Sequence, residues 1–197
     1  MAPIGRLAAL HADTTGRLIL QAALDVLRQS SVTELTVREV AKVSGISERT
    51  IFRYFPDREA FLDAIADEAR AQMALPEHPA TLEQLLAYPG TLFARFEAAA
   101  PLVKAMLHTD LFHRMRETQA QERWTAVRRL LDREFPDAPA SLRKYTAANI
   151  RYFLSASAWR YYREYFGFSL SESIASAELS IRQALEGLRA APRRAMR

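Results

Sequence analysis

The chain contains no cysteine, which removes disulfides, thiol nucleophiles and thiolate metal sites together. It also lacks any apolar run long enough to span a membrane. Its 49% hydrophobic content over 197 residues is distributed along the chain, as in a soluble globular protein with a substantial core. The opening Met1-Ala-Pro-Ile-Gly-Arg6 lacks the charged, apolar and small-residue order of a secretion signal. It is expected to be a loose arm on a cytoplasmic protein. No serine elbow, phosphate loop or pair of metal-binding histidines is present. His108 and His113 flank Asp110 but are five positions apart, which does not share a helix face. No metal, no cofactor and no enzymatic activity are therefore expected. No alternating stretch is long enough to force a strand, so the fold class is all-α.

What is present is concentrated between Thr36 and Pro56. Thr36 followed three residues later by Glu39 is a capping box: the hydroxyl takes an orphan amide at a helix start, and the carboxylate reaches back to the cap amide. Val37, Val40 and Ala41 give that helix an apolar face, and Gly45 sits where a left-handed residue ends it cheaply. Ser47 is a good N-cap for a second short helix, with Ile46 in the corner, Ile51 and Phe55 inward, and Pro56 closing it. Such a pair needs a small residue where the helices touch, a residue tolerant of positive φ at the corner, and a branched apolar residue beneath the second helix. Ala41, Gly45 and Ile51 supply them. The stretch reads as a helix-turn-helix.

That skeleton is common in α-proteins; the outward face is more specific. Glu48, Arg49, Thr50, Arg53 and Tyr54 leave the second helix as long polar side chains, and Arg49/Arg53 and Thr50/Tyr54 are four-apart neighbours. Arginine reads guanine edges bidentately, while threonine and tyrosine hydroxyls bind phosphate oxygens. Singly, each residue is as well explained by a solvated helix face; as a set they describe a recognition helix. The runs Thr-Val-Arg-Glu-Val-Ala, Ser-Gly-Ile-Ser and Thr-Ile-Phe-Arg-Tyr-Phe-Pro-Asp-Arg-Glu-Ala-Phe, within roughly Thr14 to Met73, resemble the DNA-binding domain of TetR-family transcriptional regulators.

The resemblance implies a three-helix DNA-binding head, a long fourth helix, and a divergent helical body that binds a small molecule and dimerises. By position it implies DNA contacts from Thr36 and Arg38, from Ser47, Glu48, Arg49, Thr50, Phe52, Arg53 and Tyr54 along the groove, and from Arg58 behind the Asp57 N-cap. Thr36 and Ser47 are caps first, with DNA contact as a second role. Three positions depart from the family's usual residues. Phe52 stands where tyrosine is common, Ser31 where glycine often follows the first helix, and Leu27 where phenylalanine is frequent.

The net charge of +4 does not itself mark a DNA-binding head. Through Arg70 there are nine basic and ten acidic side chains, so the basic excess lies beyond the motif. Arg182, Arg189, Arg193, Arg194 and Arg197 cluster near the end, where a frayed basic tail is expected. DNA affinity must come from where Arg38, Arg49, Arg53 and Arg58 point. Arginine far outnumbers lysine, a bias of GC-rich bacterial genomes.

Spacing predicts about nine helices, arranged as a helix-turn-helix head and a ligand-binding and dimerisation body. The expected organisation is a flexible arm over 1–13, the DNA-binding domain with its connecting fourth helix over 14–74, the body over 75–190 and the basic tail over 191–197. The first helix runs from about Thr15 to Gln29, and the fourth from Asp57 to about Met73. Thr81 with Gln84 caps a short helix ending near Tyr88-Pro-Gly90, and another segment spans Thr91 to Ala99. A short and a long helix fill Leu102 to Phe135, followed by one long helix from Ala140 to Phe166 ended by Gly167. Ser169 with Glu172 opens a last helix striped by Leu170, Ile174, Ala177, Ile181, Leu185 and Leu188.

The last two helices form an antiparallel hairpin, the candidate homodimer interface, with Ser155, Ala158, Tyr162, Ile174, Ala177, Ile181 and Leu185 at the contact. Phe93, Phe96, Met106, Phe112, Met115, Trp124, Tyr152, Phe153 and Trp159 are candidate lining for a small hydrophobic effector, although each also fits plain core. The expected function is a dimeric repressor of double-stranded DNA at a pseudo-palindromic operator, released by an effector. An activator with the same head, or a helical ligand-binding or interaction protein, are the alternatives.

Overall fold

The computed structural model describes residues 4–29, 35–107 and 110–191, with side chains over 14–28, 35–107 and 121–191. In chain order its helices are α1 (Ile4–Gln29), α2 (Val37–Ser44), α3 (Glu48–Tyr54), α4 (Arg58–Met73), α5 (Leu82–Ala98), α6 (Ala100–Leu107), α7 (Asp110–Glu134), α8 (Ala140–Phe153), α9 (Ala156–Arg160) and α10 (Leu170–Arg189). A π-helical turn, Tyr161–Tyr165, follows α9. Among the described residues there is no strand, in accord with an all-α fold. None of the helices described is long and apolar enough to cross a membrane.

The chain divides into two compact units. The first takes residues 1–72 and 100–115. In it α1 packs on α2 and α6, and α2 on α3. Ile19, Leu24, Leu27, Val40, Ile51 and Ile65 are buried there. Helix α1 begins at Ile4 rather than near Thr15, so the stretch expected as a loose arm is helical from Ile4 onward. Leu7-Ala8-Ala9-Leu10 are strong helix formers, and nothing between Arg6 and Thr15 breaks the run. Phe55, expected in the core, is half-buried with its ring 5.2 Å from that of Phe61. At the other end of α4, Ala74 has φ +44, the one positive φ outside glycine among the described residues.

The second unit takes residues 73–99 and 116–197. Here α10 packs against both α5 and α8. Two expectations are corrected. Helix α5 runs unbroken through Pro89, where a stop was expected. Leu85, Pro89, Leu92, Phe93 and Phe96 are buried along it, and the burial outweighs the roughly 3 kcal/mol an internal proline costs. The reverse happens after Ala140, where one long helix gives way to α8, α9 and the π turn. Ser155 is extended (φ −102°, ψ 154°), and its hydroxyl accepts from the Ala158 amide as an N-cap. A serine that caps in mid-helix offers the backbone a stop. Gly167 (φ +67°) then reverses the chain, and the Ser169/Glu172 capping box opens α10 as expected.

The α7–α8 corner is held by one arginine. Arg143 donates to Asp132 at 2.7 Å and to the carbonyls of Phe135, Pro136 and Ala138. Burial pushes the Asp132 carboxyl up, but hydrogen bonds from Arg143 and Arg128 outweigh it and hold the group below its ordinary 3.8. Arg143→Ala strips three carbonyls of a partner and is expected to cost about 2 kcal/mol in urea unfolding. Because the folded carboxyl is depressed, the share of that advantage carried by the Arg143–Asp132 pair is present at neutral pH and fades as pH falls below about 3.8 through that lowered value.

Candidate nucleic-acid interface

The α2–α3 pair is built from caps inward. The Thr36 hydroxyl accepts from the Glu39 amide at 3.2 Å, while the Glu39 carboxylate accepts from the Thr36 amide at 3.3 Å. Gly45 ends α2 at φ +68°, ψ 11°, a left-handed corner that a Cβ would strain. Ser47 caps α3 by accepting from the Thr50 amide at 3.2 Å. Val40 and Ile51, both fully buried, lock the two helices over α1. Asp57 then accepts from the Ala60 amide at 2.7 Å at the start of α4.

This scaffold sorts the predicted contact residues. Arg38, Ser47, Glu48, Arg49, Arg53 and Arg58 are exposed, and Phe52 is 43% exposed although it is apolar. Thr50 is half-buried and shares a hydrogen bond with the Ser47 hydroxyl at 3.0 Å. That pair has two hydroxyl protons and uses one between them, so one remains to donate outward. Thr36 is exposed, but its proton is directed to the Glu39 carboxylate at 2.9 Å. Its remaining capacity is as an acceptor, which suits a base amine better than a phosphate. Tyr54 departs most from the sequence reading. It is half-buried, with its ring packed beside Gly16, where an added Cβ would lie 3.7 Å from Cδ1. The Arg53 guanidinium sits 5.6 Å over that ring, so Tyr54 steadies α3 and Arg53 as well as presenting its hydroxyl.

Comparison with known proteins bears on this same segment. The family description "Bacterial regulatory proteins, tetR family" matches residues 19–65, from the second half of α1 through the whole motif into α4. Over that segment the chain is similar to the tetR family of bacterial regulatory proteins. A solved structure of a tetR-family transcriptional regulator from Streptomyces coelicolor shares the fold, with a TM-score of 0.63 at 17% identity over 90% of this chain and 83% of that one. No curated protein matches the chain. The matched segment contains both α2 and α3.

The body residues expected to line an effector site differ in their burial where their side chains are described. Phe93, Phe96 and Trp159 are buried in mutual contact, with ring centroids 6.2 Å apart for the phenylalanines and 5.9 Å for Phe96 and Trp159. Met106 is buried in the first unit. Tyr152 is 63% exposed, while Trp124 and Phe153 are half-buried. Phe112 and Met115, like His108 and His113, lie outside the described side chains, as do Ser31 and the arginines from Arg193 onward. A small cavity of about 20 Å³ lies elsewhere in the second unit, room for about one water. Its polar lining is His78, Tyr88, Arg123 and Arg151, and its apolar walls include Leu92, Val127 and Leu154. None of the candidate lining residues whose side chains are described borders it. Its four polar groups come from three helices and a loop, so no local motif in the sequence could have announced them.

The candidate dimer residues are likewise spent inside the chain. Ala158, Tyr162, Ala177, Ile181 and Leu185 are buried in the single chain, with Ser155 and Ile174 half-buried. They form the intramolecular hairpin of α10 on α5 and α8. The exposed large side chains on α8 and α10 are Tyr145, Tyr152 and Leu179, and Tyr161, Tyr165 and Phe166 are exposed in and just after the π turn.

Proposed function

We propose that the protein is a cytoplasmic, dimeric repressor that binds a pseudo-palindromic operator through α3 and leaves it when a small molecule binds the body. The observation that carries this reading is the exposed row Arg49, Phe52 and Arg53 on a short helix capped and cored as a recognition helix. The two arginines suit guanine edges, and Phe52 suits the thymine methyl. Arg38, Glu48, Ser47 and Thr50 flank them, Thr36 and Tyr54 act at the margins, and Arg58 serves a phosphate. One head reads only a few base pairs, so specificity calls for two heads. The outward face of α8 and α10, with Tyr145, Tyr152 and Leu179, is the surface we assign to the partner copy. The effector would move α4 and alter the separation of the two recognition helices, with a coupling of about 1–3 kcal/mol.

Selection of bound duplexes from a random-sequence library at physiological salt tests the proposal. The wild type is expected to enrich a two-fold symmetric site with half-sites about 34 Å apart or a multiple of it. Enrichment of no sequence by a folded dimer, with or without candidate effectors, would refute it. A single asymmetric site would refute the dimeric reading alone.

A further inference from the structure

The cavity in the second unit combines two features that sequence reading did not bring together. Arg123 comes from α7 and Arg151 from α8, and both border the same recess as His78, in the loop after α4, and Tyr88 of α5. Leu92, Val127 and Leu154 supply apolar wall beside them. Tyr88 is fixed by donating to the Pro76 carbonyl at 3.0 Å, and Arg151 by donating to the Leu154 carbonyl at 3.1 Å. A guanidinium fork carries five donors, so anchoring a carbonyl does not preclude a carboxylate.

We propose that this recess binds a small organic acid, its carboxylate between Arg123 and Arg151 and its compact apolar body against Leu92, Val127 and Leu154. The recess has room for about one water, so one carboxylate oxygen enters it and the rest of the acid lies in the mouth. The proposal names the effector class of the ligand-responsive reading above and rests on it. The local field agrees with the geometry. Burial, then Arg123 and Arg151, hold the His78 imidazole below its ordinary pKa, against a smaller opposing pull from Glu122. Burial raises the Tyr88 phenol, with the same two arginines opposing it. Near neutral pH His78 is therefore uncharged, and the positive charge facing the recess is that of the two guanidiniums. The apolar walls favour an organic acid over a bare inorganic anion. Occupancy would also tie the loop directly following α4 to α5, α7 and α8, all within one unit.

The test titrates the full-length protein, without DNA, by calorimetry against benzoate, phenylacetate and hexanoate, against their amides, and against inorganic phosphate. At least one acid is expected to bind, with its amide at least about tenfold weaker. Arg123→Gln should weaken that acid by a similar factor and leave the amide unchanged. Ala126→Phe, which fills the recess from α7, should abolish binding while circular dichroism and thermal unfolding report an intact fold. Absence of binding by every acid, amides equal to acids, phosphate as tight as the best acid, or indifference to both substitutions in folded protein would each overturn the proposal. Because no DNA is present, these outcomes are separate from the duplex selection. Binding of an acid without sequence-specific DNA binding would leave the site standing and remove the repressor.

Discussion

Arg49→Ala/Arg53→Ala protein is expected to hold its selected operator no more tightly than random duplex. Each bidentate arginine–guanine pair discriminates by about 1–3 kcal/mol, and a symmetric dimer loses four arginines at once. The loss is then at least about 4 kcal/mol, roughly a thousandfold, comparable with the whole gap of about 4–10 kcal/mol between specific and non-specific binding. Both side chains are exposed and lie outside the core, so thermal unfolding should be almost unchanged. Arg53 has one internal partner, the Tyr54 ring 5.6 Å away, whose loss costs about 0.5–1 kcal/mol at an exposed site. Arg58→Ala makes the contrast. A phosphate contact carries no sequence information, so its loss should weaken all duplexes alike and flatten the salt dependence. Fluorescence anisotropy on operator and scrambled duplex over a salt series separates the two. Retention of the operator preference by the double variant would place recognition somewhere other than α3.

Trp159→Ala is expected to destabilise the second unit by about 3–5 kcal/mol in chemical denaturation, against a typical total of about 5–15 kcal/mol. Trp159 is 1% exposed, and its ring lies against Phe96. Its indole N–H donates to Glu97 at 3.2 Å. The same carboxylate accepts from Arg163 at 2.8 and 3.1 Å, and Arg163 also donates to the Phe168 carbonyl. Truncation therefore opens a large cavity and also loosens the clasp joining the π turn to α5. Trp159→Phe retains much of the packing but removes the donor, and should cost about 1–2 kcal/mol. A loss for alanine no larger than that for phenylalanine would mean that the hydrogen bond, rather than the packing, dominates.

The head was largely legible because its signals are local. Thr36 with Glu39, Gly45, and Ser47 ahead of Ile51 each act within a few residues, and each appears as a cap, a corner or a core contact. The Ser169/Glu172 box was legible for the same reason. Pro89 and Ser155 were misread because tertiary packing decided them: burial carried α5 through its proline, and capping broke the helix after Phe153. An effector site is illegible in the sequence for a different reason. Counting aromatics finds material that fills space, whereas a cavity is set by what side chains leave unfilled, and that depends on relations among α5, α7, α8 and a loop. A dimer stripe is ambiguous in the same way, since a continuous apolar row on α10 cannot say whether its own body or a second copy covers it.

Ala74 gives the end of α4 a bias of its own. A left-handed alanine costs about 1–2 kcal/mol relative to a right-handed one, and this one, at φ +44, stands between α4 and the loop that carries His78. The bend is held like a sprung latch. A right-handed conformation at this residue would be free of that cost. The stored amount is similar to the 1–3 kcal/mol that typically couples two sites. A single methyl group thus places at the end of α4 a cost of the same order as a typical coupling energy.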